Sequence, residues 1–272
     1  MSEKKIIDLH CHILPGLDDG IELLEDAIEA CNIAQKEGIE GIVATPHMRE
    51  GFFDVSPAEA RESLSTLQKQ IAQREIEIEL FLGAEVHIAS HLPEKVKDGS
   101  VLTLNDTKKY LLLELSYQQY PIEFENVLFS LKVSGITPIL AHPERVRYFK
   151  DDMERVARAV QLGALTQVTS SSILGHFGED IRRYSIELAE RGLMHIIASD
   201  SHDIHYRPPA ILKACDEMAK IVGEKEATAM IKDRPSAVVH GEELEIPSKV
   251  SEKAGEKKKG RLSFLKHFYK KN

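Results

Sequence analysis

The sequence predicts an α/β fold of parallel strands with helices packed outside them, and three observations predict it. Short apolar, β-branched runs alternate with longer stretches of helical periodicity, seven times in succession. The length of 272 residues suits a single α/β barrel. Gly38, Gly135, Gly163 and Gly192 each follow a helical stretch, where a left-handed cap is wanted. A closed barrel and an open doubly wound sheet share this alternation. Neither a GxGxxG after the first strand nor a phosphate-binding GxxxxGK motif is present, so the signals of a nucleotide fold are absent.

Strands are expected at 5–10, 41–46, 79–86, 110–116, 137–141, 164–169 and 194–199. Helices are expected at 22–37, 57–74, 123–134, 151–162, 178–191, 209–222 and 224–232. Asp18-Asp19-Gly20, Ser56-Pro57 and Asp151-Asp152 read as helix entries. Residues 248–272 change character to Lys, Glu and Gly, which places a boundary near Pro247: a folded domain over 1–247 and a basic tail over 248–272.

Charge narrows the function. The formal net charge is −9. Residues 248–272 hold nine Lys/Arg and two Glu, so the rest of the chain carries −9 − 7 = −16. A broad basic face for nucleic acid is excluded. No apolar run approaches the ~18 residues of a membrane span. Lys4 and Lys5 do not open a signal peptide, because Asp8, His10 and His12 interrupt the apolar run after them. Three cysteines at unrelated spacings (Cys11, Cys31, Cys215) do not form a disulfide framework and favour a reducing cytoplasm.

The chemistry gathers at strand ends. The first strand ends in Asp8-Leu9-His10-Cys11-His12, the second in Thr45-Pro46-His47, and the third carries Gly83-Ala84-Glu85. The fourth carries Leu113-Glu114, the fifth ends in Ala141-His142-Pro143, and the seventh in Ser199-Asp200-Ser201-His202. In a βα barrel, active sites form at these ends. His10 and His12 are two apart, so on an extended strand both face one side, and Asp200 and His202 repeat the spacing. With Asp18 the candidates number nine, enough for two or three ions. Mixed nitrogen and carboxylate donors suit Mn, Fe, Zn or Co rather than Ca or Mg. Each residue also has a plain reading: Asp18 as a helix cap, His47 and His142 as turn histidines, Glu85 and Glu114 as partners of a buried cation. The joint pattern is what those readings leave unexplained.

Taken together, the run Asp8–Gly20, Thr45-Pro46-His47, Gly83-Ala84-Glu85, Leu113-Glu114, Ala141-His142-Pro143-Glu144-Arg145 and Ser199-Asp200-Ser201-His202 resembles the polymerase-and-histidinol-phosphatase (PHP) superfamily. Within it the chain is most similar to the CpsB/CapC-type tyrosine-protein phosphatases of Gram-positive capsule and exopolysaccharide operons, over about residues 5–245. The resemblance implies a distorted (β/α)7, TIM-like barrel with three divalent metals, manganese ahead of iron, cobalt or zinc. One ion would take His10, His12, Glu85 and Asp200. A second would share Glu85 and take Glu114 and His142. A third would take Asp18, His47 and His202. Many relatives carry His where Asp18 and Glu114 stand, so this donor set is harder in character.

Metal clusters suit phosphoester hydrolysis by a metal-bound hydroxide. Arg145 and Arg207, just past two strand ends, match the phosphate-binding arginines of the capsule phosphatases. A cysteine nucleophile would want Arg six residues on, but Leu17, Glu37 and Ile221 stand there. His47, Asp203 and His205 are candidates for a general acid, and Tyr148 and Tyr206 for stacking on an aromatic substrate. The implied substrate is the tyrosine-rich tail of a bacterial tyrosine autokinase. Leu262, Leu265 and Phe268/Tyr269 among basic residues suit an amphipathic contact with the inner face of a membrane, against the plainer reading of a disordered tail. Two rivals remain: a PHP phosphatase for a small molecule such as histidinol phosphate, and a non-catalytic regulator that binds phosphotyrosine or the kinase. The oligomeric state is left open.

Overall fold

The computed structural model describes residues 4–244. The expected boundary near Pro247 and the basic tail lie outside the described residues. Nine parallel strands are present among them: β1 (Ile7–Cys11), β2 (Gly41–Ala44), β3 (His47–Met48), β4 (Glu79–Leu82), β5 (Glu85–His87), β6 (Tyr110–Glu114), β7 (Thr137–Ala141), β8 (Leu165–Thr169) and β9 (Ile196–Ala198). They pair as β1-β2-β4 and as β3-β5-β6-β7-β8-β9.

These nine strands are seven staves of one barrel wall. The second and third expected strands are each broken once, at Thr45-Pro46 and at Gly83-Ala84. Pro46 has no N–H to give a ladder. A Cβ on Gly83 would stand 2.8 Å from the Leu104 side chain, so the bare backbone there admits Leu104. Backbone bonds cross the breaks, from Gly83 N to the Ala44 oxygen at 2.8 Å and from Glu85 N to the Pro46 oxygen at 3.1 Å. The ring closes between β9 and β1 by a bridge of Cys11 with Ser201. His12 N donates to the Ser201 oxygen (2.8 Å) and Asp200 N to the His10 oxygen (2.9 Å). The closed barrel, rather than the open sheet, is what this chain forms.

Alternate residues point inward. Leu112, Ile139, Ala141, Leu165 and Ile196 form one buried cluster with Ile7, Leu9 and Val43, stoppered by Leu104, Val238 and Val239. Leu111, Leu113, Leu140, Val168 and Ile197 face the helices in the larger cluster. In β1 the register slips between Asp8 and Cys11. That bulge changes the phase of the strand, so His10 and His12 join the inward set that Ile7 and Leu9 began.

The helices are α1 (Leu24–Lys36), α2 (Pro57–Gln73), α3 (Leu92–Asp98), α4 (Phe124–Val133), α5 (Arg147–Asp151), α6 (Glu154–Gln161), α7 (Ser170–Ile173), α8 (Glu179–Glu190), α9 (Leu212–Val222), α10 (Glu224–Ile231) and α11 (Asp233–His240). Helix α2 starts at a capping box of Ser56 and Glu59, with Pro57 at its first position. Two entries differ from expectation. The helix expected over 151–162 is α6, which starts only at Glu154 because Asp152 is extended, and the short α5 precedes it. Asp18-Asp19-Gly20 does not start a helix, since α1 begins at Leu24. That loop instead reaches over the barrel mouth.

Candidate metal centre

Six staves deliver side chains to one end of the barrel. His10 and His12 come from β1, His47 from β3, Glu85 from β5, Glu114 from β6, His142 from the end of β7, and Asp200 and His202 from the loop after β9. All eight are buried or nearly so; His10, Glu85, His142 and Asp200 are 1% exposed or less. His142 (φ 33°) and Asp200 (φ 52°) occupy left-handed backbone, which is costly for a non-glycine residue. Both strained residues stand where a strand turns into the loop above the site.

The histidine rings are locked by their outer nitrogens. His10 Nδ1 meets Gln167 Oε1 at 2.8 Å, and His12 Nδ1 meets Asp18 Oδ2 at 2.7 Å. Each Nδ1–H is thereby committed as a donor. The two Nε2 atoms then face each other with lone pairs at 3.0 Å, an arrangement that only a proton or a cation between them relieves. Glu85 Oε2 lies 3.2, 3.3 and 3.1 Å from nitrogens of His10, His12 and His47. Yet Glu85 Oε2 and His47 Nδ1 are buried atoms without a hydrogen bond. Converging donor atoms without hydrogen-bond geometry are the donor set of a cation site.

Three overlapping groups could hold an ion: His12/Asp19/His47/His202, His10/His12/Glu85 and His47/Glu85/Glu114. His142 Nε2 joins through Glu85 Oε1 at 2.8 Å. Asp19, which the sequence pattern did not single out, faces His47 Nε2 at 3.4 Å and His202 Nε2 at 3.6 Å. Asp18, expected in that place, is turned the other way. Its Oδ2 accepts from His12 Nδ1 and from His47 N (2.9 Å), and its Oδ1 from Gly20 N (3.0 Å). A Cβ on Gly20 would collide with the His12 backbone and Cβ, so only glycine lets the loop close over that ring.

Burial alone would raise the Glu85 and Asp200 carboxyls. The imidazoles of His10 and His142 around the first, and Arg145 with His10 beside the second, win and hold both well below the usual range. Asp19 is held down by His202 and His47, whose Nε2 atoms face its carboxylate. Burial raises Asp8 to about 6, against the pull of Ser199 and His10; Ser199 N and Oγ both donate to it.

Arg145 and Arg207 converge from two loops on one carboxylate, donating to Asp200 Oδ2 at 2.5 and 2.6 Å. The Nε–H of each is buried and unpartnered. Both guanidinium groups stack on Phe177, at 5.3 and 5.9 Å from the ring centre. Arg145 is set by Glu144, whose Oε1 accepts from Thr169 N (3.0 Å) and Ser172 Oγ (2.7 Å). Arg207 is set by Asp203, whose Oδ1 accepts from His205 N (2.7 Å) and Arg207 N (3.2 Å).

The arginines and ligand candidates line a cavity of about 200 Å³ with Phe53 and Tyr117 at its wall. Phe53 stacks on His47 (5.2 Å) and Tyr117 on His142 (5.5 Å). Tyr148 is instead packed against Phe149, and Tyr206 is 86% exposed; neither lines the cavity. Nor do Asp203 and His205, so of the three general-acid candidates only His47 faces it. Phe53, Tyr117 and Phe177 gave no sequence signal, because nothing separates them from core aromatics.

The comparisons agree with this geometry. A family model described as capsular polysaccharide synthesis, CpsB/CapC, matches residues 6–240. The tyrosine-protein phosphatase YwqE of Bacillus subtilis is 36% identical over 202 residues, 74% of this chain and 79% of that protein. The tyrosine-protein phosphatase CpsB of Streptococcus pneumoniae is 29% identical over 239 residues, 86% of this chain and 98% of that protein. A crystal structure from work on YwqE and CpsB, described as unique metal-dependent tyrosine phosphatases, superposes with a TM-score of 0.85 at 32% identity, covering 89% of this chain and 97% of that one. A phosphotriesterase homology protein of Escherichia coli shares the barrel alone, at a TM-score of 0.60 and 11% identity over 88% of this chain and all of that one. With its barrel and its matched length, the chain belongs to the CpsB/CapC family.

Proposed function

We propose that this chain is a metal-dependent protein-tyrosine phosphatase that hydrolyses phosphotyrosine on a bacterial tyrosine autokinase and thereby controls capsule or exopolysaccharide synthesis, working in the cytoplasm at the inner face of the membrane. The observation that carries the reading is the convergence of Arg145 and Arg207 on Asp200 beside the buried cluster of histidines and carboxylates. Divalent ions, three with manganese foremost, would be held by His10, His12, Asp19 in place of Asp18, His47, Glu85, Glu114, His142, Asp200 and His202. When bound they would activate water and offset charge on the phosphoryl oxygens. The family and the named activity of its relatives support the phosphatase; the harder donor set supports manganese.

The chain's own residues supply the rest. The unpartnered Nε–H groups of Arg145 and Arg207 are donors for the phosphoryl oxygens, and their planar forks fix its orientation. Asp200, accepting from both, keeps the two guanidinium groups aimed at one point. Phe53 and Tyr117 wall the cavity with ring faces that suit a phenyl ester and keep water from the reacting end. A phenol leaves with a pKa near ~10, so it asks less of a general acid than an alkyl alcohol. Among the described residues no helix is long and apolar enough to cross a membrane.

The test is turnover by chelator-stripped protein with manganese added back, on phosphotyrosine peptide, phosphoserine peptide and histidinol phosphate. Restored turnover selective for phosphotyrosine is expected. Preference for histidinol phosphate would overturn the substrate, and failure on all three with any metal would favour a binding module.

A further inference from the structure

Beside the metal cavity lies a second groove of about 270 Å³, and the two share Arg49, Glu114 and Tyr117 as a common wall. The rest of the groove is His87 at the end of β5 and, from the loop after β6, Leu115, Ser116, Gln118 and Gln119, the two amides exposed to solvent. Arg49 stands apart from the two arginines already described. Its side chain makes no hydrogen bond or ion pair among the described residues. Its guanidinium rests on the face of Phe52 at 4.2 Å, and its backbone is pinned by a pair of bonds with Phe53, at 3.1 and 2.8 Å. The neighbouring carboxylate, Glu50, is taken by Lys95 at 3.0 Å. Glu114, the carboxylate on the shared wall, is turned to His87 Nδ1 at 3.0 Å. An uncommitted, pre-oriented cation is thus held at the mouth of an otherwise acidic domain.

We propose that Arg49 and this groove form a subsite for a second anionic side chain of the phosphorylated peptide, adjacent to its phosphotyrosine. The inference rests on the phosphotyrosine reading above and deepens it. The shared wall sets the spacing: successive residues of an extended peptide advance about 3.3 Å, so the anion sits one or two residues from the phosphotyrosine. Gln118, Gln119 and Ser116 offer donors and acceptors to the intervening backbone. The anion is a carboxylate or a further phosphoryl group, and both meet the same guanidinium.

The experiment compares kcat/KM for phosphotyrosine peptides with neutral, aspartate, lysine or second phosphotyrosine neighbours, in wild-type protein and in Arg49→Gln, Arg49→Lys and Arg49→Glu. Each variant is read as a ratio between peptides, which cancels any loss of folded protein. Wild type should prefer an anionic neighbour over a neutral one by about three- to tenfold, as a part-exposed charge pair allows. Arg49→Gln should abolish the preference, Arg49→Lys retain most of it, and Arg49→Glu turn it toward lysine. Preference for aspartate and for second phosphotyrosine then identifies which anion is favoured. Equal use of neutral and anionic peptides by wild type, or a preference that survives Arg49→Gln, would overturn the subsite while leaving the phosphatase intact. Absence of turnover on every peptide would instead remove the phosphotyrosine reading, and the subsite with it.

Discussion

Asp18 and Asp19 show how much one residue of register decides. Both are visible in the sequence as carboxylates after the first strand, and nothing in Asp-Asp-Gly tells which one enters the cavity. The answer depends on how the loop folds back, and Gly20 sets that by closing against His12. The two carboxylates should therefore fail differently. Asp19→Asn removes a donor facing His47 and His202, so metal content measured by elemental analysis should fall by one ion per chain, with activity down at least ~100-fold. Asp18→Asn removes the acceptor that fixes the His12 ring; its metal affinity should fall about 10- to 100-fold, and excess manganese should rescue it. Equal, rescuable effects in both variants would refute the distinction. The other ligand candidates were readable because a histidine or carboxylate at six of the seven strand ends, in order, has no common structural explanation.

At the scale of elements, the alternation of strands and helices was enough to place seven staves. What it missed were the breaks at Thr45-Pro46 and Gly83-Ala84 and the bulge in β1. These depend on neighbouring strands, and a local pattern of apolar residues carries no trace of them. Short helices α3 and α7 escaped because four to seven residues do not establish a period. The turn Pro143–Arg145 is an element whose rigidity the site needs. Buried Glu144 ties it to β8 and α7 through Thr169 N and Ser172 Oγ. Glu144→Ala leaves those donors unsatisfied, so denaturant unfolding should show a loss of about 1–3 kcal/mol. With Arg145 freed, KM should rise. Glu144→Gln keeps an acceptor at the same reach and should recover most of both. If Gln behaves as badly as Ala, the tie is not what positions Arg145.

The whole molecule is coupled to its site by charge. Asp18, Asp19, Glu85, Glu114 and Asp200 crowd the barrel mouth against Arg145 and Arg207, so ions bound there would stabilise the fold by mass action. Chelation should lower the melting temperature by several degrees, and manganese should restore it; an unchanged melting curve would argue against a loaded centre. The opposite end of the barrel sets a second, independent dependence on pH. His195, 1% exposed at the start of β9, accepts from Thr166 N on Nδ1 at 3.1 Å, and Nε2 has no partner. Burial, with Arg234 nearby, pushes its pKa from 6.5 down to about 3. The fold therefore holds the neutral ring, whereas the unfolded chain takes up a proton below pH 6.5. Between those values the unfolded state binds more protons, so stability is fully present above pH 6.5 and is lost as pH falls toward 3. The slope approaches about 1.4 kcal/mol per pH unit for one proton. Carboxylates titrate in the same range, and Asp8 near 6 acts in the opposite sense, so the contribution is read as a difference. His195→Gln keeps an acceptor for Thr166 N but has nothing to titrate. Urea unfolding of both proteins from about pH 7 to about pH 4.5 should show the wild type losing stability more steeply than the variant, by close to one proton. Parallel curves would mean that the ring is charged in the fold as well, and would overturn the neutral-ring reading.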